Sequence, residues 1–273
     1  LSTLREGLYK IGAGSTTRYQ PRQGQGRGGV SRSLILSKDG SPWIGTRSGL
    51  EHLVDSEFRS FNANNGLLND NIKVVFEDVE GNIWVGTDGA GLFKFSGERF
   101  VALTVEEGIA SDLVMSFSED SSGMWISTYG SGITNRQGDA IKTYTGDQFL
   151  SNQLIWCSTV DEEGRVWFGT SNGITIKDET GVHPFNINHD IDHIRVTSLI
   201  SKGSKVFIGH RNGLSCYQGD SVAHIQTEAR IIRSLKKLPN NDILIGAADG
   251  LYILKDDVVS KIPIENDVDL YPV

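Results

Sequence analysis

The chain has 273 residues, 32 of them glycine, with 38% hydrophobic and 22% charged side chains and a formal net charge of −8. The apolar content suffices for a packed core, and no stretch approaches the roughly 18 to 20 apolar residues of a membrane-spanning helix. An acidic balance of this kind sets the overall field against a nucleic-acid partner, which would need a local basic patch.

In chain order, the first recognisable element is a degraded phrase, Leu1-Ser2-Thr3…Gly7-Leu8. A glycine-rich stretch, 21–29, departs from any pattern and reads as a loop. Four strong copies follow: Trp43-Ile44-Gly45-Thr46…Gly49-Leu50, Trp84-Val85-Gly86-Thr87…Gly91-Leu92, Trp125-Ile126-Ser127-Thr128…Gly132-Ile133 and Trp167-Phe168-Gly169-Thr170…Gly173-Ile174. Two copies without Trp complete the chain, Phe207-Ile208-Gly209-His210…Gly213-Leu214 and Leu244-Ile245-Gly246-Ala247…Gly250-Leu251. A period of about forty residues marks a repeat architecture.

Each period contains four short apolar runs separated by turn residues. In the second strong copy these are 72–77, 82–87, 91–95 and 98–103, the first two joined by Asp78-Val79-Glu80-Gly81. Four antiparallel strands make a blade, and one blade cannot cover both of its faces, so neighbours must stack. Seven Gly-Leu or Gly-Ile positions predict an all-β, seven-bladed β-propeller of four-stranded antiparallel blades. Full blades are expected at about 31–61, 72–103, 114–144, 155–185, 196–225 and 231–262, with a closing blade from 1–20 plus 269–273. Pro272 opposes that closure, because it cannot donate to a ladder. A chain that opens inside a repeat reads as a piece of a longer protein or a processed form.

These phrases resemble the two-component regulator propeller family. Gly66-Leu67-Leu68-Asn69-Asp70-Asn71-Ile72, Glu77-Asp78, Gly81-Asn82-Ile83-Trp84-Val85-Gly86-Thr87 and Gly91-Leu92 carry the resemblance, which fades around His210 and Ala247. It implies a periplasmic or extracytoplasmic sensing domain of a membrane-anchored hybrid histidine kinase or diguanylate cyclase, the output domain lying elsewhere in the parent protein.

The repeated tryptophans hold one interior place in each blade and read as core. Asp78, Asp120 and Asp161 read as turn formers, because a calcium loop needs several alternating oxygen ligands. Cys157 and Cys216 occupy unrelated repeat positions, so a framework disulfide is not expected. Positions that differ between copies are more informative. Aligned on Trp, the inner strands place Arg32, Lys73, Met115, Trp156, Thr197, Arg233 and Tyr271 at one equivalent position near the channel mouth. Loops between second and third strands add Arg5, Arg47, Asp88, Tyr129, Asn172, Arg211 and Asp249. Arginines suit carboxylates and aromatic rings suit sugar faces, so a small molecule, an oligosaccharide or a protein partner is expected there.

His183, His189 and His193 form the one histidine cluster and a candidate transition-metal site, although their spacing fits no common zinc pattern. No cofactor is expected and no enzyme motif is present. The leading expectation is a non-enzymatic sensor, with homodimerisation as one means of transmission. The alternatives are a propeller lyase using His210 and Glu6 on a polysaccharide or cyclic depsipeptide, and a purely structural interaction module.

Overall fold

The computed structural model describes residues 31–97, 99–186 and 194–263, together with strand positions 2–3, 7–12 and 15–19. Six four-stranded antiparallel sheets follow one another along the chain, each with its strands in sequential order. Blade 1 comprises Ser31–Leu36, Pro42–Thr46, Gly49–Val54 and Glu57–Phe61; blade 2 comprises Ile72–Glu77, Ile83–Thr87, Leu92–Phe95 and Phe100–Leu103. Blade 3 is Val114–Asp120, Gly123–Thr128, Ile133–Gln137 and Ala140–Tyr144, and blade 4 is Ile155–Val160, Val166–Thr170, Ile174–Asp178 and Gly181–Phe185. Blade 5 contains Val196–Lys202, Lys205–His210, Gly213–Gln218 and Ser221–Ile225; blade 6 contains Ile232–Lys237, Ile243–Ala247, Gly250–Lys255 and Val258–Lys261.

The fold is therefore a propeller of six four-stranded blades, which corrects the expected seven. The degraded first copy forms a three-stranded sheet of Ser2–Thr3, Gly7–Gly12 and Ser15–Tyr19. The overcount has a physical reason: Gly-Leu marks the turn into a third strand and carries no information about whether a first strand is present. The strand expected from 269–273 lies outside the described residues.

By its internal contacts the chain divides into two compact units, one within Leu1–Val114 and the other within Met115–Val268. In the first, Trp43 and Leu50 of blade 1 share a core with Ile72, Val85 and Phe93 of blade 2. In the second, Trp125 packs with Ile155 and Phe168, Trp167 with Val196 and Ile208, and Phe207 with Ile232 and Ile245. Each core joins successive blades.

Every letter of the repeated phrase has a packing task. The indole Nε1 of Trp84, Trp125 and Trp167 donates to Asp78, Asp120 and Asp161 at 2.7, 2.9 and 2.7 Å. Burial alone would raise the Asp78 carboxyl, yet the Trp84 and Asn82 donors hold it below the usual aspartate value. Asp120 is likewise lowered against its burial, by Lys177, Ser122 and Trp125. The phrase glycine receives the next blade: a Cβ on Gly45 would lie 2.7 Å from Ile72 Cγ2, and one on Gly209 would lie 2.6 Å from Ile232 Cγ2. Thr46, Thr87, Thr128 and Thr170 each donate from Oγ1 to the carbonyl of the glycine opening the third strand, at 2.8, 2.8, 2.8 and 2.9 Å.

Cys157 and Cys216 are both free thiols, and burial pushes Cys157 up to about 12. Among the described residues no helix is long and apolar enough to cross a membrane.

Candidate functional site

The ladder between first and second strands skips one residue in five blades, between Ser31 and Ser33, Ile72 and Val74, Ile155 and Cys157, Val196 and Ser198, and Ile232 and Ser234. The skipped residues are Arg32, Lys73, Trp156, Thr197 and Arg233. A bulge of this kind leaves a residue unpaired, bends its strand and re-aims its side chain. Serines one position further on bridge neighbouring first strands: Ser33 Oγ accepts from Val75 N at 2.9 Å, and Ser198 Oγ from Leu235 N at 3.0 Å.

In the second unit, Trp156, Arg195, Thr197, Arg211, Ile231 and Arg233 line one pocket of about 490 Å³. Four of these are residues expected from the sequence. The guanidinium of Arg195 lies over the Trp156 ring at 3.6 Å, close enough for a cation–π contact. Tyr129 meets Trp156 edge-on at 5.2 Å, and the indole Nε1 donates to Ser171 Oγ at 2.7 Å. Thr197 Oγ1 donates to the Ile232 carbonyl at 2.5 Å, tying the blade 5 bulge to blade 6. None of the six described lining residues is acidic. Burial, followed by the neighbouring Arg211 charge, lowers the pKa of Arg195, with Tyr129 opposing.

In the first unit the expected residues form an ion-paired cluster. Lys73 Nζ lies 3.0 Å from Asp88 Oδ2, which also accepts from Asn71 Nδ2 at 2.7 Å. Arg32 is lowered by burial and next by the Arg47 charge, while Asp88 acts to raise it.

The remaining expected residues are dispersed. Met115 is half-buried on the first strand of blade 3. Asn172 is exposed and donates its backbone N–H to Thr170 Oγ1 at 3.0 Å. Asp249 Oδ2 accepts from the Tyr252 hydroxyl at 2.6 Å. His183 Nε2 lies 3.0 Å from Asp178 Oδ2. Tyr271, Arg5, Glu6, His189 and His193 lie outside the described residues. Among the described residues no group of three His, Cys, Asp or Glu side chains is placed to hold a metal ion.

Two pocket residues, Arg195 and Ile231, escaped the sequence reading. Both stand one position before a first strand, as Asn71 does in blade 2. Aligning the copies one residue earlier puts both at one register position with Asn71, but does not join Arg195 to Trp156. His210, by contrast, is only 2% exposed. It stands where other copies have Thr: its Nδ1 accepts from Asn212 N at 3.2 Å, as Thr170 Oγ1 accepts from Asn172, and its Nε2 lies 3.0 Å from Ser215 Oγ.

Sheets of this order and registry define a β-propeller built from a repeat. Residues 66–89 and 150–172 match the family model of the two component regulator propeller, so the chain carries repeats of that type. No curated protein sequence matches it. Among solved structures, it is similar to the extracellular domains of two B. thetaiotaomicron proteins described as hybrid two component systems. These are BT4673 (19% identity, TM-score 0.73, covering 90% of this chain and 34% of that one) and BT3049 (19%, 0.72, 87% and 35%). It is also similar to virginiamycin B lyase from Staphylococcus aureus (14%, 0.70, 87% and 85%). The chain thus spans about a third of the two extracellular domains. At these identities the likeness shows the fold.

Proposed function

We propose that this chain is the non-enzymatic sensor propeller of a membrane-anchored signalling protein, acting outside the cytoplasm and binding its ligand in the pocket of blades 4 to 6. The observation that carries this reading is the contrast between a scaffold repeated residue by residue and a pocket whose lining differs from blade to blade. Its volume falls within the range of small-ligand sites, roughly 300 to 1,000 Å³. The matched repeat and the fold shared with extracellular domains of two-component systems support it. The output domain belongs to the parent protein, and a stiff blade stack favours transmission by rigid-body movement or altered pairing of two protomers.

The lyase reading needs an accessible base, and His210 instead serves as a buried turn anchor. Turnover of a uronate polymer or cyclic depsipeptide by the purified chain would overturn the non-enzymatic reading. The sensor reading is tested in the parent protein with a transcriptional reporter during growth on defined polysaccharides. Arg211→Ala with Arg233→Ala is expected to abolish the response at unchanged protein level; a full response from that variant would sink it.

A further inference from the structure

The pocket's arginines are arranged for one kind of guest. The Arg195 and Arg211 guanidinium groups act on each other where none of the described lining residues is acidic, an arrangement that like-charge repulsion opposes until an anion arrives. Arg195 Nε is buried without a hydrogen-bond partner. A buried donor left unpaired costs about 1–3 kcal/mol and calls for an explanation.

Trp156 does not offer a free platform. One face carries the Arg195 guanidinium, its edge contact goes to Tyr129 and its N–H goes to Ser171. The indole therefore fixes the plane of a guanidinium fork. The Thr197 hydroxyl is engaged with the Ile232 carbonyl, which leaves Arg195 and Arg211 as side-chain donors of the pocket. Ile231, at φ +52° and 40% exposed, holds a left-handed conformation that β-branched residues avoid. Such strain costs on the order of 1–3 kcal/mol and gathers at ligand clamps.

We propose that the pocket is an oxyanion receptor. Arg195, pre-set by stacking on Trp156, presents its Nε edge to a carboxylate, sulfate ester or phosphate ester of the ligand, Arg211 adds a second cationic charge, and Ile231 contacts the ligand's apolar body. A guanidinium edge donates two parallel N–H bonds to two oxygens, which suits these groups and rejects chloride and neutral sugars. The proposal rests on the pocket being the ligand site.

The test follows the arginine Nε–H resonances of the full chain by NMR, with Arg195 assigned through Arg195→Gln. D-glucuronate, glucose 6-sulfate and glucose 6-phosphate are titrated separately, against D-glucose and against sodium chloride at equal ionic strength. Saturable movement of the Arg195 resonance with at least one acid is expected, with none from glucose or chloride, and the responding probe identifies the source of the oxyanion. Calorimetry should show at least a tenfold loss of affinity for that probe in Arg195→Gln. Absence of saturable movement with all three acids would overturn the receptor. If glucose perturbs the Ile231 methyl groups while leaving Arg195 still, the pocket remains a ligand site and the oxyanion assignment falls. The wild-type titration stands even if the variant misfolds.

Discussion

The buried carboxylates show how one side chain serves two scales. Asp78 accepts from a backbone N–H within its own turn and from the indole of the following strand, so turn and core are fixed together. Trp167→Phe keeps the ring but leaves the carboxylate of Asp161 without its indole donor; a loss of about 1–3 kcal/mol is expected in urea unfolding. The pH dependence has a definite sign. Asp78 and Asp120 are lowered in the fold, so their contribution is present above the unfolded aspartate value of about 3.9 and is lost as pH falls through the lower folded values. Thermal melts should hold steady from neutral pH down to about 5 and drop below about 4, less steeply in Asp120→Asn. His210→Thr restores the residue of blades 1 to 4 and should cost less than His210→Ala, a difference readable in urea midpoints.

At the scale of the blade, the glycine of the repeat and the bulge opposite it form one device. Gly209 pairs with Ser198, immediately beside the skipped Thr197, while its missing side chain admits Ile232 of the next blade. Gly209→Ala should destabilise by about 1–3 kcal/mol through overpacking, measured as a lower midpoint at unchanged m-value. Strand identity and order within a blade were legible because Trp, Gly, Thr and the turn carboxylate impose the same packing wherever they recur, and the copies that lose some of them keep the spacing. Blade count was not, because Gly-Leu reports a third strand only. Bulge positions could be aligned from the sequence, whereas the pocket needed three-dimensional information. Arg195 becomes meaningful only when its guanidinium is seen on the Trp156 ring, and no spacing in the chain joins residues 156 and 195. Lys73 shows the converse: it aligned with the pocket residues and is instead paired with Asp88.

Within each of the two units, apolar cores that join successive blades make stability close to a sum of neighbour terms. Cys157 reports on one such term. Its half-buried thiol packs against the core shared by blades 4 and 5 and is pushed up by burial, which leaves little of the reactive thiolate near neutral pH. Labelling by a thiol reagent in native buffer should therefore be slow and accelerate with denaturant in step with unfolding. Rapid native labelling would show that blades 4 and 5 separate far more readily than their shared core implies. The net charge of −8 adds a second whole-molecule effect: an anionic ligand reaches a local cationic wall through an opposing field, so salt changes its association rate less than the wall alone would predict.

The bulges have a consequence for how such a chain can change. Because the residue at each bulge stands outside the ladder, its chemical identity is released from the demands that fix its neighbours, and Arg, Lys, Trp and Thr all occupy the place in one protein. Randomising positions 32, 73, 156 and 233, with Thr197 kept for its bond to blade 6, should yield a library in which most members still fold. What the propeller binds can then drift from one descendant to the next while the frame that presents it is inherited almost untouched.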